Sequence, residues 1–170
     1  IMNYNSKRDF PYLNSTSKIG PYLRFGLISI REVAKKTIEK KFDQSFLRQL
    51  IWRDFYIQIF FHFPDSEHEN FKPAYDKIIW LNEEEKFEKW CAGETGYPIV
   101  DAGMKELNAT GFMHNRVRMI TASFLCKHLL IHWKKGESYF AKKLLDYEMA
   151  SNVGNWQWVA GTGVDAAPYF

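Results

Sequence analysis

Apolar residues recur along this chain at helical spacing, in segments punctuated by Gly, Pro and capping residues, and no run shows the two-residue alternation of a strand. Ser29, followed three positions later by Glu32, carries a capping-box signature ahead of a polar, lysine-rich helix. Asp43 or Ser45 caps a long apolar helix that Pro64 terminates. Asn82 and Glu85 repeat the start signal, and Gly93 closes that segment. Pro98 suits the first turn of the next helix, with Gly111 as its stop. A further helix is predicted over residues 114–133, ending in Lys134, Lys135 and Gly136, where cations suit a helix C-terminus. Two more follow, one ahead of Asp146 and one carrying residues 152–158. The predicted fold class is all-α, as one domain over residues 1–170, without internal repeat or linker.

Composition narrows the partners. With 170 residues and 46% hydrophobic content the chain can bury one sizeable core. Six Trp, nine Tyr and fourteen Phe supply flat faces for stacking, although the default use of such side chains is core packing. A formal charge of +3 fits a local positive face better than a general polyanion coat. Cys91 and Cys126 lie far apart, without metal-ligand or disulfide-framework spacing, which points to a reducing, cytoplasmic setting. His62, His68, His128 and His132 make no ligand set, so no metal is expected. The apolar run at residues 57–63 is too short to span a bilayer, so no membrane partner is expected. Gly161 and Gly163 precede no strand, and a dinucleotide fingerprint fails there.

The chemistry gathers toward the C-terminal end. Asn115, Arg116, Arg118, Asp146, Asn152, Trp156 and Trp158 crowd among apolar helical residues, a costly core unless a bulky polar aromatic ligand completes it; a flavin is such a ligand. Thr16, Ser17 and Lys18 ahead of Gly20 and Pro21 suit either a phosphate or ordinary capping. Asn115 and Met119 share one helical face, with His114 and Arg118 on a neighbouring face. Arg118 can pair with Asp146, as a structural salt bridge, beside a ligand, or both. The Asn152 amide can donate and accept, or cap a helix near Gly154.

Five blocks occur in order: TSKIGPYLRFG at residues 16–26, QLIWRDFY at 49–56, TGYPIVDAGM at 95–104, MHNRVRM at 113–119 and NVGNWQW at 152–158. Together they resemble the FAD-binding helical domain of DNA photolyases and cryptochromes, most closely the class I cyclobutane pyrimidine dimer enzymes, over nearly the whole chain. The resemblance implies a fragment, lacking an N-terminal α/β domain that would hold an antenna chromophore and further C-terminal helices. It implies FAD as cofactor, held by Tyr4, Thr16, Ser17, Lys18, Arg53, Asn115, Arg118, Asp146, Glu148 and Asn152. Asn152 would face flavin N5, and Trp80, Trp133 and Trp156 would relay electrons from the surface. Dimer-containing DNA would meet Gln49, Trp52, Asn115, Met119 and Trp158. The implied activity is light-driven repair by a monomeric lyase, in which excited reduced flavin lends an electron to the flipped-out dimer. A cryptochrome-like photoreceptor and a (6-4) photolyase are the alternatives. Asn115 and Met119 stand where a (6-4) enzyme would carry His, whereas Gln49 replaces the Glu usual in class I. Gly20 stands where the family often has Ser or Ala.

Overall fold

The structure is a computed structural model and describes residues 3–165. Among the described residues it holds nine α-helices and no strand: α1 (Tyr4–Lys7), α2 (Gly20–Arg24), α3 (Ile30–Glu39), α4 (Gln44–His62), α5 (Glu84–Ala92), α6 (Pro98–Thr110), α7 (Asn115–Ser123), α8 (Trp133–Lys143) and α9 (Met149–Ala160). Asp43 caps α4 by accepting from the Ser45 N–H at 2.9 Å, and its other oxygen accepts from the Asn5 N–H at 2.9 Å, which ties α1 to α4. α4 stops at His62, and Pro64 opens a 3-10 turn instead of continuing it. Pro98 begins α6, while Gly93 and Gly111 end α5 and α6 as expected.

Three local expectations are corrected. Ser29 makes no side-chain cap, because Glu32 pairs with Lys36 at 2.8 Å rather than reaching back. Asn82 lies outside α5, which Glu83 precedes; its Oδ1 accepts from the His132 N–H at 2.8 Å. The single helix over residues 114–133 is two helices, α7 and α8, parted by a π turn (Phe124–His128) and by Leu130 at φ 51°. The break is held from outside, since the Leu81 N–H donates to the Leu130 carbonyl at 2.8 Å and His132 Nδ1 then caps α8 through the Lys134 N–H at 3.2 Å. Lys134 and Lys135 therefore open a helix. Lys135 pairs with Glu84, and Lys134 lies over the Trp133 ring.

The core is built from α5 to α9. Trp90, Met104, Leu107, Met113, Leu125 and Ile131 are fully buried, and Trp90 stacks between Phe87 and Phe140 while its indole N–H donates to the Thr121 carbonyl. Gln157 pins α9 from within: its amide donates to the Ser66 and Glu69 carbonyls and accepts from the Phe71 N–H. α8 and α9 meet at Gly136, where an added Cβ would lie 2.2 Å from Trp156 Cη2 and 2.5 Å from Leu125 Cδ2. Gly136→Ala is expected to cost about 2–3 kcal/mol by overpacking, read as a lower midpoint in thermal unfolding. An unchanged midpoint would mean that α8 and α9 can part without loss.

Candidate active site

α7, α8, α9 and the 144–148 segment enclose a recess of about 610 Å³, continuous with solvent. Phe140, Leu144, Trp156 and Val159 supply flat apolar walls, and Asn115, Arg118, Asp146 and Asn152 supply a polar edge. The Arg118 guanidinium is held on two sides: Nη2 donates to both Asp146 oxygens at 3.0 and 2.9 Å, and Nε donates to the Met113 carbonyl at 2.8 Å. Both side chains keep only a quarter or less of their surface exposed (26% and 20%), so the pair is stronger than a surface bridge yet still faces the recess. The 16–20 segment rests against this pair. A Cβ at Gly20 would sit 2.8 Å from Asp146 Cβ and 2.9 Å from its Oδ2, so Ser or Ala here would need Asp146 to shift. That close approach is the physical reason for Gly20.

Asn152 enters the recess from α9 with its Nδ2 donating to Glu137 Oε1 at 3.0 Å and to the Glu137 carbonyl at 3.3 Å. Glu148 lines the recess as well, but its carboxylate caps α9, accepting from the N–H groups of Ala150 and Ser151 and from the Ser151 hydroxyl at 2.6 Å. A flat aromatic ring with donors and acceptors along its edge fits this mixture of walls, as an isoalloxazine does.

A second recess, of about 960 Å³, backs onto the first. Gln49, Trp52, Arg53 and Tyr56 of α4 form its far side, and the two recesses share Asn115, Met119, Ser151, Asn155 and Trp158. Trp52 keeps 45% of its surface exposed, with its edge on Phe55 and its face tilted toward Tyr56. Gln49 Nε2 donates to the Ser45 carbonyl at 3.3 Å, one turn back on α4. Burial, and then the charge of Asp165, pushes the Tyr56 phenol up to about 12.

The three tryptophans trace a line outward from the first recess. Trp156 is buried in its wall and leans on Gly136, one turn along α8 from the buried Trp133. His132 then bridges the rings of Trp133 (5.6 Å) and the half-buried Trp80 (5.3 Å).

Asn115, Arg118, Asp146, Glu148, Asn152, Trp156 and Trp158 thus share one recess; Gln49, Trp52, Arg53 and Met119 join Asn115 and Trp158 in the other. Arg53 faces the second recess, away from the set with which the resemblance grouped it. Tyr4, Thr16, Ser17 and Lys18 line neither. Tyr4 packs edge-on against Phe46, and Lys18 lies over Phe112 at 5.5 Å. Ordinary capping does not explain the hydroxyls, because the start of α2 has no side-chain cap. Residues 166–170, the end of the closing block, lie outside the described residues.

Sequence reasoning missed Glu137, Tyr147, Ser151 and Asn155. Ser151 and Asn155 carried a usable signal, flanking Asn152 on α9 at helical spacing, whereas nothing local links Glu137 to a residue fifteen positions on. Among the described residues no cluster of His, Cys, Asp and Glu could hold a metal, and no helix is long and apolar enough to cross a membrane.

A helical domain whose polar-edged recess shares a wall with a second, aromatic recess is a cofactor-binding domain with room for a substrate beside the cofactor. Residues 46–170 match the family described as the FAD binding domain of DNA photolyase, and the chain belongs to that family. It is 44% identical to a deoxyribodipyrimidine photo-lyase of Alkalihalophilus pseudofirmus, matching along 100% of this chain and 36% of that protein. Its fold superposes on a class III photolyase of Agrobacterium tumefaciens with a TM-score of 0.93 at 45% identity, covering 99% of this chain and 36% of the other. A cryptochrome of Synechocystis gives 0.89 at 35% identity, again over 99% and 36%. The chain spans little more than a third of the length of these relatives.

Proposed function

We propose that this chain is the FAD-binding part of a DNA photolyase that repairs cyclobutane pyrimidine dimers in light, a carbon–carbon lyase. The observation that carries this reading is the shared wall: the recess edged by Arg118, Asp146 and Asn152 adjoins the one lined by Gln49, Trp52 and Trp158. A cofactor in the first would stand within electron-transfer reach of a base pair's worth of substrate in the second.

Arg118, Asp146 and Asn152 would hold the flavin ring, and Thr16, Ser17 and Lys18, beside the Gly20–Asp146 contact, its phosphates. Glu148 contributes by fixing the start of α9 and thereby Asn152. When bound and reduced, the flavin supplies on illumination the electron that opens the cyclobutane ring, and regains it afterwards. Trp52 and Trp158 would flank the flipped dimer; base stacking on an aromatic is worth about 1–3 kcal/mol. Asn115 and Met119, between the recesses, offer an amide and a thioether, neither a proton donor of the strength that (6-4) chemistry asks of His. An antenna chromophore belongs to the N-terminal domain of the longer protein, which we take to act as a monomer in the cytoplasm.

An absorption spectrum after incubation with FAD, followed by repair of dimer-containing oligonucleotides with a chain of the relatives' full length, tests the reading. Efficient repair of (6-4) products with cyclobutane dimers untouched would overturn it. The likeness to a cryptochrome favours one second reading, a photoreceptor that binds flavin and repairs nothing. Flavin uptake without repair of either lesion selects it.

Gln49 tunes the rate within the first reading. Its amide can hydrogen-bond a thymine carbonyl but cannot shuttle a proton as a carboxylate could. Gln49→Glu is expected to retain or raise the dimer repair rate under single-turnover illumination. A sharp fall would show that the amide itself is required.

A further inference from the structure

The orientation of the Asn152 amide is decided from behind, by α8. Both groups that meet its Nδ2, the Glu137 carbonyl and the Glu137 carboxylate, accept hydrogen bonds and cannot donate them when the acid is ionised. The flipped amide would set oxygen against two oxygens, so nitrogen must face Glu137. Oδ1 is then the end available to a ligand in the recess. Tyr147 steadies the clamp: its hydroxyl donates to the same Glu137 Oε1 at 3.4 Å, and the Arg24 guanidinium lies over its ring. Burial, followed by the charge of Glu137 and this hydrogen bond, pushes the Tyr147 phenol up to about 12, so it remains a donor at neutral pH.

We infer that Glu137 is a positioning residue, which turns Asn152 so that it meets the flavin N5 as a hydrogen-bond acceptor and favours the forms protonated there. This role rests on the flavin reading above. An oxygen facing N5 rewards an N–H at that atom, whereas the flipped amide would oppose one N–H with another. Glu137 need not touch the ligand to act.

The test uses the chain loaded with FAD, with Glu137→Leu, Glu137→Gln and Asn152→Ala beside the parent. Two quantities are read: FAD affinity, and the ratio of N5-protonated to unprotonated flavin at the one-electron level, seen in the visible spectrum after photoreduction. Glu137→Leu is expected to leave affinity within about twofold, the range of changes that break no direct contact. It should move the ratio about fivefold toward the unprotonated form, the worth of one net hydrogen bond, in the same sense as Asn152→Ala. Glu137→Gln, whose Oε1 still accepts, should recover most of the parent ratio. As a readout without flavin, the ¹⁵N side-chain amide protons of Asn152 should exchange with water faster in Glu137→Leu than in the parent. FAD uptake with an unchanged ratio in Glu137→Leu overturns the role of Glu137 alone. A parent chain that takes up no FAD overturns the flavin reading and this role with it.

Discussion

Asp146→Ala combined with Asn152→Ala is expected to abolish FAD uptake at concentrations that saturate the parent chain. Asp146 receives two hydrogen bonds from Arg118, and without it the guanidinium keeps only the Met113 carbonyl. It would swing toward solvent and no longer present a fixed donor. Removing Asn152 takes away the other polar group that the recess holds on rails, since Glu137 fixes it from α8. Two lost polar contacts amount to about 3 kcal/mol of affinity, or more than about a hundredfold. Titration by flavin fluorescence quenching measures this directly. Circular dichroism separates it from unfolding: the ion pair is partly solvated, so its loss should cost the fold only about 1–2 kcal/mol. Parent-like affinity in the double variant would mean that the flavin lies elsewhere.

Trp156→Phe is expected to reduce photoreduction of oxidised flavin to background while leaving dimer repair by chemically pre-reduced protein nearly intact, in a chain of the relatives' full length. Trp156 is the indole that belongs both to the recess wall and to the core, with Phe140 edge-on at 5.0 Å. A benzyl ring is far harder to oxidise than an indole, so the line through Trp133 and Trp80 would lose its first member. The smaller ring leaves a void beside Gly136, which costs about 1–3 kcal/mol without removing any polar contact to the ligand. Retained flavin content would therefore accompany the lost photoreduction. Photoreduction at the parent rate would dismiss the relay, whereas a loss of bound flavin would show that Trp156 serves binding instead.

The helix boundaries that were legible in the sequence are those fixed by neighbours along the chain. Asp43, Pro64, Gly93, Pro98 and Gly111 act over one turn, through a side-chain cap, a missing N–H or a left-handed backbone, and each does in the fold what it signals in the sequence. The break between α7 and α8 was not legible, because apolar periodicity runs through it. It depends on Leu81 and Asn82 binding the Leu130–His132 backbone from about fifty residues away. Lys134, Lys135 and Gly136 imitate a helix end, but Gly136 is small because Trp156 lies against it.

By itself, then, the sequence determined the all-helical class, the family and the polar residues of α7 and α9 that edge the first recess, because side chains three and four apart on one helix must share a face. Only the tertiary structure decided which recess each residue serves. It sent Arg53 of α4 to the second recess, occupied the Glu148 carboxylate with a helix cap, and set Glu137 of α8 behind Asn152. It also made Gly20 a necessity, by bringing its segment against Asp146. These are contacts between helices, and one chain pattern is compatible with many packings until buried side chains, closing on one another without voids, select a single one.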